Sequence, residues 1–389
     1  MKRNKQPPSV KTKKQTETMT TNRKKGSLTV VHVASIPLTE ETGMGRIACN
    51  WQKAFVAKGY NFIHIGSKEC PRKGHHILWG KQARDYMIAQ NIKPDVLIVH
   101  EPASGYFVDL GVPVVAFSHG IEKRGWAVEA KYHYRNQTFK SLFMPDFIRF
   151  KASVKGLKRS DRVLLSNQED VDYLVNVLKR KPEGITIFKN GFYEANIPTK
   201  KTTPQYHHTT FLFNASWLER KGKTMMIQAF DKVYRTHPSD WTLILAGVGN
   251  QTEAILNEFP SHLHPNVEII PYFTQAEETA LYERSDAFIL PSYFEGQSLA
   301  LTQAMASGLC CICSDNCGQR DFIAHQENGL LFKTGDVHDL ATQIKSVIEN
   351  KALVAEYALR AKERVAGYTW SNVSNEVVEL CESLCSIKN

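Results

Sequence analysis

Short apolar runs alternate with segments of helical period along the whole chain, and this alternation is typical of an α/β fold. Several runs in the first half are apolar on both faces, as expected for parallel strands covered by helices on each side. The strands predicted in this half lie at 28–34, 61–65, 95–100, 112–117, 162–166 and 185–188. The helices predicted between them lie at 45–58, 81–90, 138–157 and 169–179.

The segment 193–209 breaks this pattern with Pro, Thr, Lys and His and is predicted to be a linker. A second α/β series follows, which predicts two doubly wound parallel-sheet domains, at 27–192 and 210–369. Two such sheets form a cleft at the carboxyl ends of their strands, where α/β folds bind ligands. The second series has predicted strands at 210–215, 242–246, 267–270, 287–290, 309–313 and 329–332. Its predicted helices lie at 224–236, 275–284, 298–307, 337–349, 353–365 and 371–386.

The net charge of +10 raises the question of a nucleic-acid or anionic-membrane partner. Residues 1–26 hold nine of the 49 basic residues and one of the 39 acidic residues, so this tail carries +8 of the net charge. With few large apolar groups the tail is predicted to be disordered, and it lacks the apolar core of a secretory signal. Met19 is a second candidate for the start of the chain. The nearly neutral remainder contains no nucleic-acid-binding motif, so we expect no nucleic-acid partner.

Eight cysteines without a signal peptide indicate reduced thiols in a cytoplasmic protein. The spacing of Cys310, Cys313 and Cys317 loosely resembles a zinc site. However, Cys310 and Cys313 lie in a predicted buried strand, and no second ligand pair completes a site, so we interpret them as core residues and expect no metal. No apolar run reaches the roughly 18 residues of a membrane-spanning helix.

Two nucleotide-binding motifs are incomplete. The segment 222–224 ends like a phosphate-binding loop, but Trp217 stands where the first glycine is required. The segment 247–249 is Gly-Val-Gly, but Thr252 stands at the third glycine of a dinucleotide fingerprint. Neither His-Glu-x-x-His nor Gly-x-Ser-x-Gly occurs in the sequence. NTPase, dehydrogenase, zinc protease and α/β-hydrolase functions therefore lose their main support.

The segment 285–308 is the most informative part of the sequence. A buried strand runs into a turn that carries Glu295 and Gly296, and a helix is predicted to start near Ser298. Unpaired N–H groups and a partial positive charge make such a helix start an anion site. Gln303 follows a little over two turns into the helix. A bound phosphate could thus lie between a carboxylate and an amide.

This segment resembles the retaining, GT-B-fold glycosyltransferases of family 4, which use nucleotide-sugar donors. The family pattern is Pro-Ser-x-x-Glu-Gly-x-x-Leu-x-x-x-Glu-Ala-Met-Ala-x-Gly, and Gln303 replaces its second glutamate. The resemblance extends over most of residues 27–385 and implies two facing Rossmann-like domains, with residues 370–387 as a crossing helix that joins the N-terminal domain. The chain matches the pattern at Pro291, Ser292, Glu295, Gly296, Leu299, Ala304, Met305, Ala306 and Gly308.

The resemblance also implies roles for residues of the C-terminal domain. Glu295 is expected to contact the donor sugar, and the backbone near Ser298 and Leu299, with Gly296, is expected to bind the diphosphate. Lys221 resembles the lysine of the family's Gly-Arg-x-x-x-x-Lys-Gly, which meets the donor pyrophosphate. Gln303 is expected to contact the ribose, and Tyr272 and Phe273 are expected to contact the base. Ser216 stands where the Gly-Arg-x-x-x-x-Lys-Gly pattern has its arginine, and Arg220 is a candidate replacement for that charge.

In the N-terminal domain, Gly43 and Gly45 lie between the first predicted strand and the first helix, in a loop that the family places near the donor phosphate. Arg46 follows them as a further candidate. The resemblance makes His119 the active-site histidine, in contact with the transferred sugar or the acceptor, and His100 is a second candidate. Further matches are 189–191, which resembles the Pro-Asn-Gly that closes the N-terminal domain, 318–321, which resembles a glycine-rich loop, and Trp370, which matches the aromatic residue that opens the crossing helix.

Residues 131–159 hold eight basic residues, one acid and many interleaved aromatic and apolar side chains. This composition suits an interfacial segment on anionic lipid, although a helix with a solvated basic face has the same composition. We therefore expect a cytoplasmic protein with a peripheral contact to the inner face of the membrane as an open alternative.

The sequence thus predicts a metal-independent, retaining glycosyltransferase that moves a hexose-type sugar from a nucleoside diphosphate to a hydroxyl of a glycan or lipid-linked acceptor, without a cofactor. Glu295 and His119 are the predicted catalytic residues. The departures at Ser216 and Gln303 keep a non-catalytic sugar-nucleotide or glycan-binding protein open as an alternative. A GT-B sugar-nucleotide epimerase is a second alternative.

Overall fold

The computed structural model describes residues 27–74, 76–132, 145–198 and 208–386. The predicted disordered tail, most of the predicted linker and the middle of the basic segment 131–159 lie outside these ranges. The described residues form two six-stranded sheets in which every strand pairing is parallel.

The N-terminal sheet has the strand order β2-β1-β3-β4-β5-β6. Its β1, β3 and β4 are buried along their whole length, because helices cover both faces of the sheet. The strands are β1 Thr29–Val33, β2 Asn61–Ile65, β3 Val96–His100, β4 Val114–Ser118, β5 Arg162–Leu165 and β6 Ile185–Ile187. The helices are α1 Gly43–Ala57, α2 Trp79–Ala89, α3 Glu122–Tyr132, α4 Pro145–Arg159 and α5 Gln168–Asn176.

The C-terminal sheet has the order β12-β11-β10-β7-β8-β9. Its buried β11 contains Cys310, Cys311 and Cys313, which pack as core residues. The strands are β7 Thr209–Asn214, β8 Trp241–Ala246, β9 Val267–Ile270, β10 Ala287–Leu290, β11 Cys310–Ser314 and β12 Leu330–Phe332. The helices are α6 Lys223–Tyr234, α7 Thr252–Leu256, α8 Gln275–Glu283, α9 Leu299–Ala306, α10 Cys317–Phe322, α11 Val337–Glu349, α12 Lys351–Val365 and α13 Trp370–Ser386.

The last helix, α13, packs on the N-terminal domain although it follows the C-terminal domain in the chain. Its buried Val373, Val377, Cys381 and Leu384 recur at helical spacing and join the core that contains Trp51 of α1. The chain therefore crosses back after α12, and α13 ties the two domains together.

The helix predicted at 138–157 ends two residues later in the structure, at Arg159, and its first residues, 138–144, lie outside the described ranges. Its described part is α4, which begins at Pro145 and continues to Arg159. The preceding helix, α3, was not predicted, since its sequence contains Gly125 and lacks a buried apolar face. The short helices α7 and α10 were also not predicted, because five or six residues are too few to establish a helical period.

The two domains meet at the carboxyl ends of their central strands, and ion pairs bridge them. Arg46 of α1 lies 3.1 Å from Glu278 of α8, and Lys189 lies 2.7 Å from Asp321. Within the described ranges, no helix combines the length and the apolar character needed to cross a membrane.

Candidate active site

A cavity of about 970 Å³ lies between the two domains. Residues from both domains line it, including most of the predicted site. Gln303, Gly45 and His100 are not part of this lining. The predicted residues and candidates that line it are Gly43, Arg46, His119, Ser216, Arg220, Lys221, Tyr272, Phe273, Glu295, Gly296, Ser298 and Leu299.

Glu295 lies in this cavity between two cations. Its carboxylate forms an ion pair with Lys221, and Arg220 lies 3.6 Å away. Burial acts to raise the pKa of Glu295, but the positive charges of Lys221 and Arg220 outweigh burial and keep the pKa below its ordinary value. Glu295 is therefore an ionised carboxylate at neutral pH. Arg220 is held in place because its guanidinium donates to the carbonyl of Phe294 at 2.8 Å.

The start of α9 forms the wall beside Glu295. Ser298 is the N-cap, and its hydroxyl accepts a hydrogen bond from the N–H of Leu301 at 3.4 Å. The N–H groups of Leu299 and Ala300 belong to the first turn, which has no intrahelical acceptors, and both residues line the cavity. The helix start, Lys221 and Arg220 together give this end of the cavity a positive potential suited to phosphate groups.

Gly296 brings the two domains into backbone contact. A Cβ atom at this position would lie 1.8 Å from the carbonyl oxygen of His119, so only glycine allows this approach. The carbonyl of Gly296 in turn accepts a hydrogen bond from Asn167 of the N-terminal domain at 3.1 Å. As a result, the turn that carries Glu295 is fixed against the loop that carries His119.

His119 follows β4, and its ring is neutral. Burial lowers its pKa to about 4, against a smaller opposing effect of the Glu295 carboxylate. Its Nε2 lies 3.2 Å from Nδ1 of His100, which is buried at the end of β3. His100, which is outside the cavity lining, therefore forms a hydrogen bond with a ring that lines the cavity.

Gln303 is outside the cavity lining and is buried, at 4% exposure. Its Oε1 accepts a hydrogen bond from the N–H of Tyr193 at 3.0 Å, and its Nε2 donates to the carbonyl of the same residue at 3.4 Å. The amide thus holds the chain where it leaves the N-terminal domain, and the predicted ribose contact stays a prediction. Gly45 is also outside the lining, and a Cβ there would lie 2.1 Å from the carbonyl oxygen of Thr39, so backbone packing explains this glycine.

The predicted base-binding residues lie directly after β9. Tyr272 is 64% exposed and lines the cavity beside Phe273. Asn214 and Gly247, at the ends of β7 and β8, line the same region. Asn214 could not be predicted as a site residue, because a single polar residue at a strand end is common.

A further wall of the cavity comes from α3 and α4, and the sequence did not predict it. Trp126 and Phe150 pack edge to face with their ring centroids 6.1 Å apart, and both line the cavity. Glu122, also in the lining, forms an ion pair with Arg149. The aromatic content of residues 131–159 is a signal that could have found Phe150, whereas Trp126 lies before that segment.

The described basic residues of the segment 131–159 are partly neutralised. Arg149 pairs with Glu122, while Lys155 and Arg159 lie 2.5 and 2.9 Å from Asp109. The middle of the segment lies outside the described residues, and membrane docking through it stays a prediction. Across the described part of the chain, no group of three or more His, Cys, Asp or Glu side chains has the arrangement of a metal site.

Comparison with known proteins shows which family the C-terminal domain resembles. Residues 199–364 match the family model described as glycosyl transferases group 1. The C-terminal domain therefore resembles that of the group 1 glycosyltransferases over most of its length. Its matched region contains Lys221, Glu295 and the start of α9. The two facing parallel sheets, with α13 crossing between the domains, are the predicted GT-B fold, which the structural comparison confirms.

Among curated relatives, the chain is similar to glycogen synthase of Mycobacterium tuberculosis, at 24% identity over 298 residues, covering 74% of this chain and 68% of the relative. It is also similar to phosphatidyl-myo-inositol mannosyltransferase of Mycolicibacterium smegmatis, at 28% identity over 178 residues and 45% of each chain. Among solved structures, sucrose-phosphate synthase from Thermosynechococcus elongatus has a TM-score of 0.76 at 15% identity, covering 92% of this chain and all of that one.

Proposed function

We propose that the protein is a retaining, metal-independent glycosyltransferase that moves a hexose-type sugar from a nucleoside diphosphate to a hydroxyl of a glycan or lipid-linked acceptor. The observation that carries this proposal is the ionised Glu295, held by Lys221 beside the start of α9 and facing His119 across the domain boundary. The family match of the C-terminal domain and the names of its relatives, glycogen synthase and a mannosyltransferase, support the reaction class.

In this proposal the positive end of the cavity binds the donor diphosphate. Lys221, Arg220 and the first N–H groups of α9 would stabilise the negative charge that grows on the diphosphate as it departs. These groups are positioned before the substrate arrives, so they need no rearrangement during the reaction. No metal enters the proposal, because protein cations fill the role of balancing the diphosphate charge.

Glu295 and His119 would contact the sugar from opposite domains. Glu295 accepts hydrogen bonds from sugar hydroxyls, and its negative charge favours the positive charge that develops on the sugar. The acceptor hydroxyl would enter from the side of Trp126 and Phe150, because an aromatic wall suits the face of a sugar ring or an apolar carrier. The attack would come from the face that the diphosphate leaves, as the resemblance implies.

The first experiment identifies the donor. A thermal-shift panel with UDP, GDP, ADP and their sugars should show one nucleotide that raises the melting temperature by mass action. Release of that nucleoside diphosphate from its sugar, with and without glycan or polyprenyl-type acceptors, then measures transfer. No shift with any nucleotide would contradict the proposal. Conversion of the nucleotide sugar without an acceptor would favour an epimerase.

The second experiment separates catalysis from binding. Glu295→Gln keeps the side-chain shape and removes the charge, and it should lower transfer by about 100-fold or more while nucleotide binding persists, because a charge-assisted contact to the sugar is lost. Glu258→Gln, which changes an acid paired with Lys223 on the surface of the same domain, serves as the matched control. Donor binding without turnover in the unmodified protein would favour a non-catalytic binding protein.

A further inference from the structure

Four histidines form a continuous hydrogen-bonded row through the N-terminal sheet. His119 contacts His100 at 3.2 Å, His100 contacts His32 at 2.8 Å, and His32 contacts His64 at 2.9 Å. The row ends where Nε2 of His64 lies 3.0 Å from the carbonyl oxygen of Ile36. The order of the histidines follows the strand order β4, β3, β1 and β2, so each ring lies beside the next across the sheet.

The protons in this row have one consistent arrangement. A neutral imidazole carries a single N–H, so four neutral rings carry four protons. The row contains four hydrogen bonds, three between rings and one to Ile36, and each of them needs one proton. The carbonyl of Ile36 can only accept, so every proton must point away from the cavity and toward Ile36. Any other arrangement would leave two lone pairs facing each other within hydrogen-bond distance.

This direction fixes the tautomer of every ring. His64 carries its proton on Nε2 because it donates to Ile36, which leaves its Nδ1 to accept from Nδ1–H of His32. The Nε2 of His32 must then accept from Nε2–H of His100, and Nδ1 of His100 must accept from Nε2–H of His119. Of the four rings, His32 is therefore the single Nδ1–H tautomer, and the other three are Nε2–H tautomers. The last nitrogen, Nδ1 of His119, is left without a proton.

We propose that His32, His64 and His100 are positioning residues that hold His119 as its Nε2–H tautomer, so that its bare Nδ1 is an acceptor for a donor-sugar hydroxyl. This rests on the function proposed above. The ring of His119 lines the cavity, and within the described ranges its hydrogen bond to His100 is made through Nε2, while no residue bonds to its Nδ1. A sugar with a hydroxyl at that point can donate to the ring, whereas one with only an acceptor there would be rejected.

The surroundings of the row favour neutral rings. Burial lowers the pKa of His32 and of His100 well below the ordinary value, and neighbouring histidines lower both further. Burial also lowers the pKa of His64, against a smaller effect of the Ile36 carbonyl. Packing fixes the rings in place, since His32 stacks on Phe62 with an interplanar angle of 26°.

Nitrogen NMR of the ligand-free protein tests the arrangement without relying on activity. In protein labelled with 15N-histidine, each ring reports whether Nδ1 or Nε2 carries the proton, and single His→Gln variants assign the signals. We expect a protonated Nδ1 at His32 and an unprotonated Nδ1 at His119. A protonated Nε2 at His32, or a protonated Nδ1 at His119, would overturn the proposal even if the protein proved to be an active transferase.

Variants at His64 test the link to the cavity, because this ring is three hydrogen bonds away from it. His64→Phe keeps a ring but removes both hydrogen bonds, so the proton of His119 should distribute over both nitrogens and kcat/KM should fall roughly three- to tenfold. His64→Gln retains an acceptor for His32 and a donor for Ile36 and should restore both the tautomer and the activity. Equal loss in both variants would indicate a packing role and overturn the proposal.

Phe62→Leu is the matched control for these variants. It changes the packing against His32 but keeps every hydrogen-bonding ring of the row, so it separates an effect of packing from an effect of the hydrogen bonds. The melting temperature of each variant separates loss of stability from loss of positioning. If Phe62→Leu lowers kcat/KM as much as His64→Phe at a similar melting temperature, the effect is one of packing and the proposal fails.

Discussion

Replacing Gln303 with glutamate tests what the amide at the family's second glutamate position does. The amide of Gln303 matches both backbone groups of Tyr193, because it accepts a hydrogen bond from the N–H at 3.0 Å and donates one to the carbonyl at 3.4 Å. A carboxylate can make the first of these bonds but not the second. In Gln303→Glu, a negatively charged oxygen would face the carbonyl oxygen of Tyr193 in a position that is 4% exposed.

The expected loss of stability follows from the lost hydrogen bond to the carbonyl of Tyr193. Leaving one buried carbonyl without its donor costs about 1–3 kcal/mol, which corresponds to a fall in melting temperature of roughly 2–6 °C. Burial also raises the pKa of the introduced carboxyl group, so the folded state prefers its protonated form. The deficit should therefore be largest at neutral pH and should shrink as the pH falls, because a protonated carboxyl can again donate to Tyr193.

The assay is thermal unfolding across a pH series, combined with titration of the nucleotide found in the donor panel. Gln228→Glu, which adds the same charge at an exposed position of α6, is the control and should leave the melting temperature nearly unchanged. An unchanged melting temperature for Gln303→Glu, together with tighter nucleotide binding, would refute this reasoning. That outcome would show that the side chain reaches the ribose, where a carboxylate makes the stronger contact.

Three further predictions concern charges in and around the cavity. Lys221→Ala should raise the pKa of Glu295 and weaken donor binding about tenfold or more, measured as an increase in KM. Lys223→Ala, which removes a lysine paired with Glu258, is the control, and equal effects of the two changes would contradict a specific role of Lys221. Arg46→Met leaves the buried carboxylate of Glu278 without its cation, although Asn196 and Tyr282 still donate to it, and should destabilise the protein by about 3 kcal/mol in chemical unfolding. Arg235→Met, at a pair that is 75% exposed on the arginine side, should change stability little. Because burial lowers the pKa of His119 to about 4, its ring stays neutral at the pH values where an ordinary histidine gains a proton. We therefore expect kcat/KM to stay constant near pH 6.5 and to fall only as the pH approaches 4. A fall in kcat/KM centred near pH 6.5 would contradict a buried, neutral ring.

The strands could be predicted from the sequence because buried parallel strands appear as compact apolar runs. Each strand of the structure overlaps a predicted run, and β2, β9 and β10 coincide with theirs at both ends. The turn at Glu295 was also predictable, since its neighbours follow a continuous local pattern between β10 and α9. A strand–turn–helix pattern of this kind is visible in consecutive residues, although Lys221 and His119, which contact the turn, lie elsewhere in the chain.

The row of histidines could not be predicted, because its members come from separate strands. His32 and His64 each stand as a polar residue within an apolar strand, which is a signal that something satisfies them. Knowing their partners requires the strand order β2-β1-β3-β4 and the register that places His32 opposite His64. The hydrogen bond between Gln303 and Tyr193 could not be predicted for the same reason, since Tyr193 lies 110 residues earlier in the chain.

The two sides of the cavity differ in charge in a way that suits the proposed reaction. The C-terminal side carries the cations that match a departing diphosphate, while the sugar would lie between the Glu295 carboxylate and the neutral ring of His119. A carboxylate so close would by itself raise the pKa of a histidine, yet burial prevails and keeps the ring neutral. An imidazolium at this position would oppose the positive charge that develops on the sugar as the diphosphate leaves. A ring that can only accept on its cavity side instead binds a hydroxyl without adding positive charge, and it needs no reorganisation because the row behind it has already set its proton.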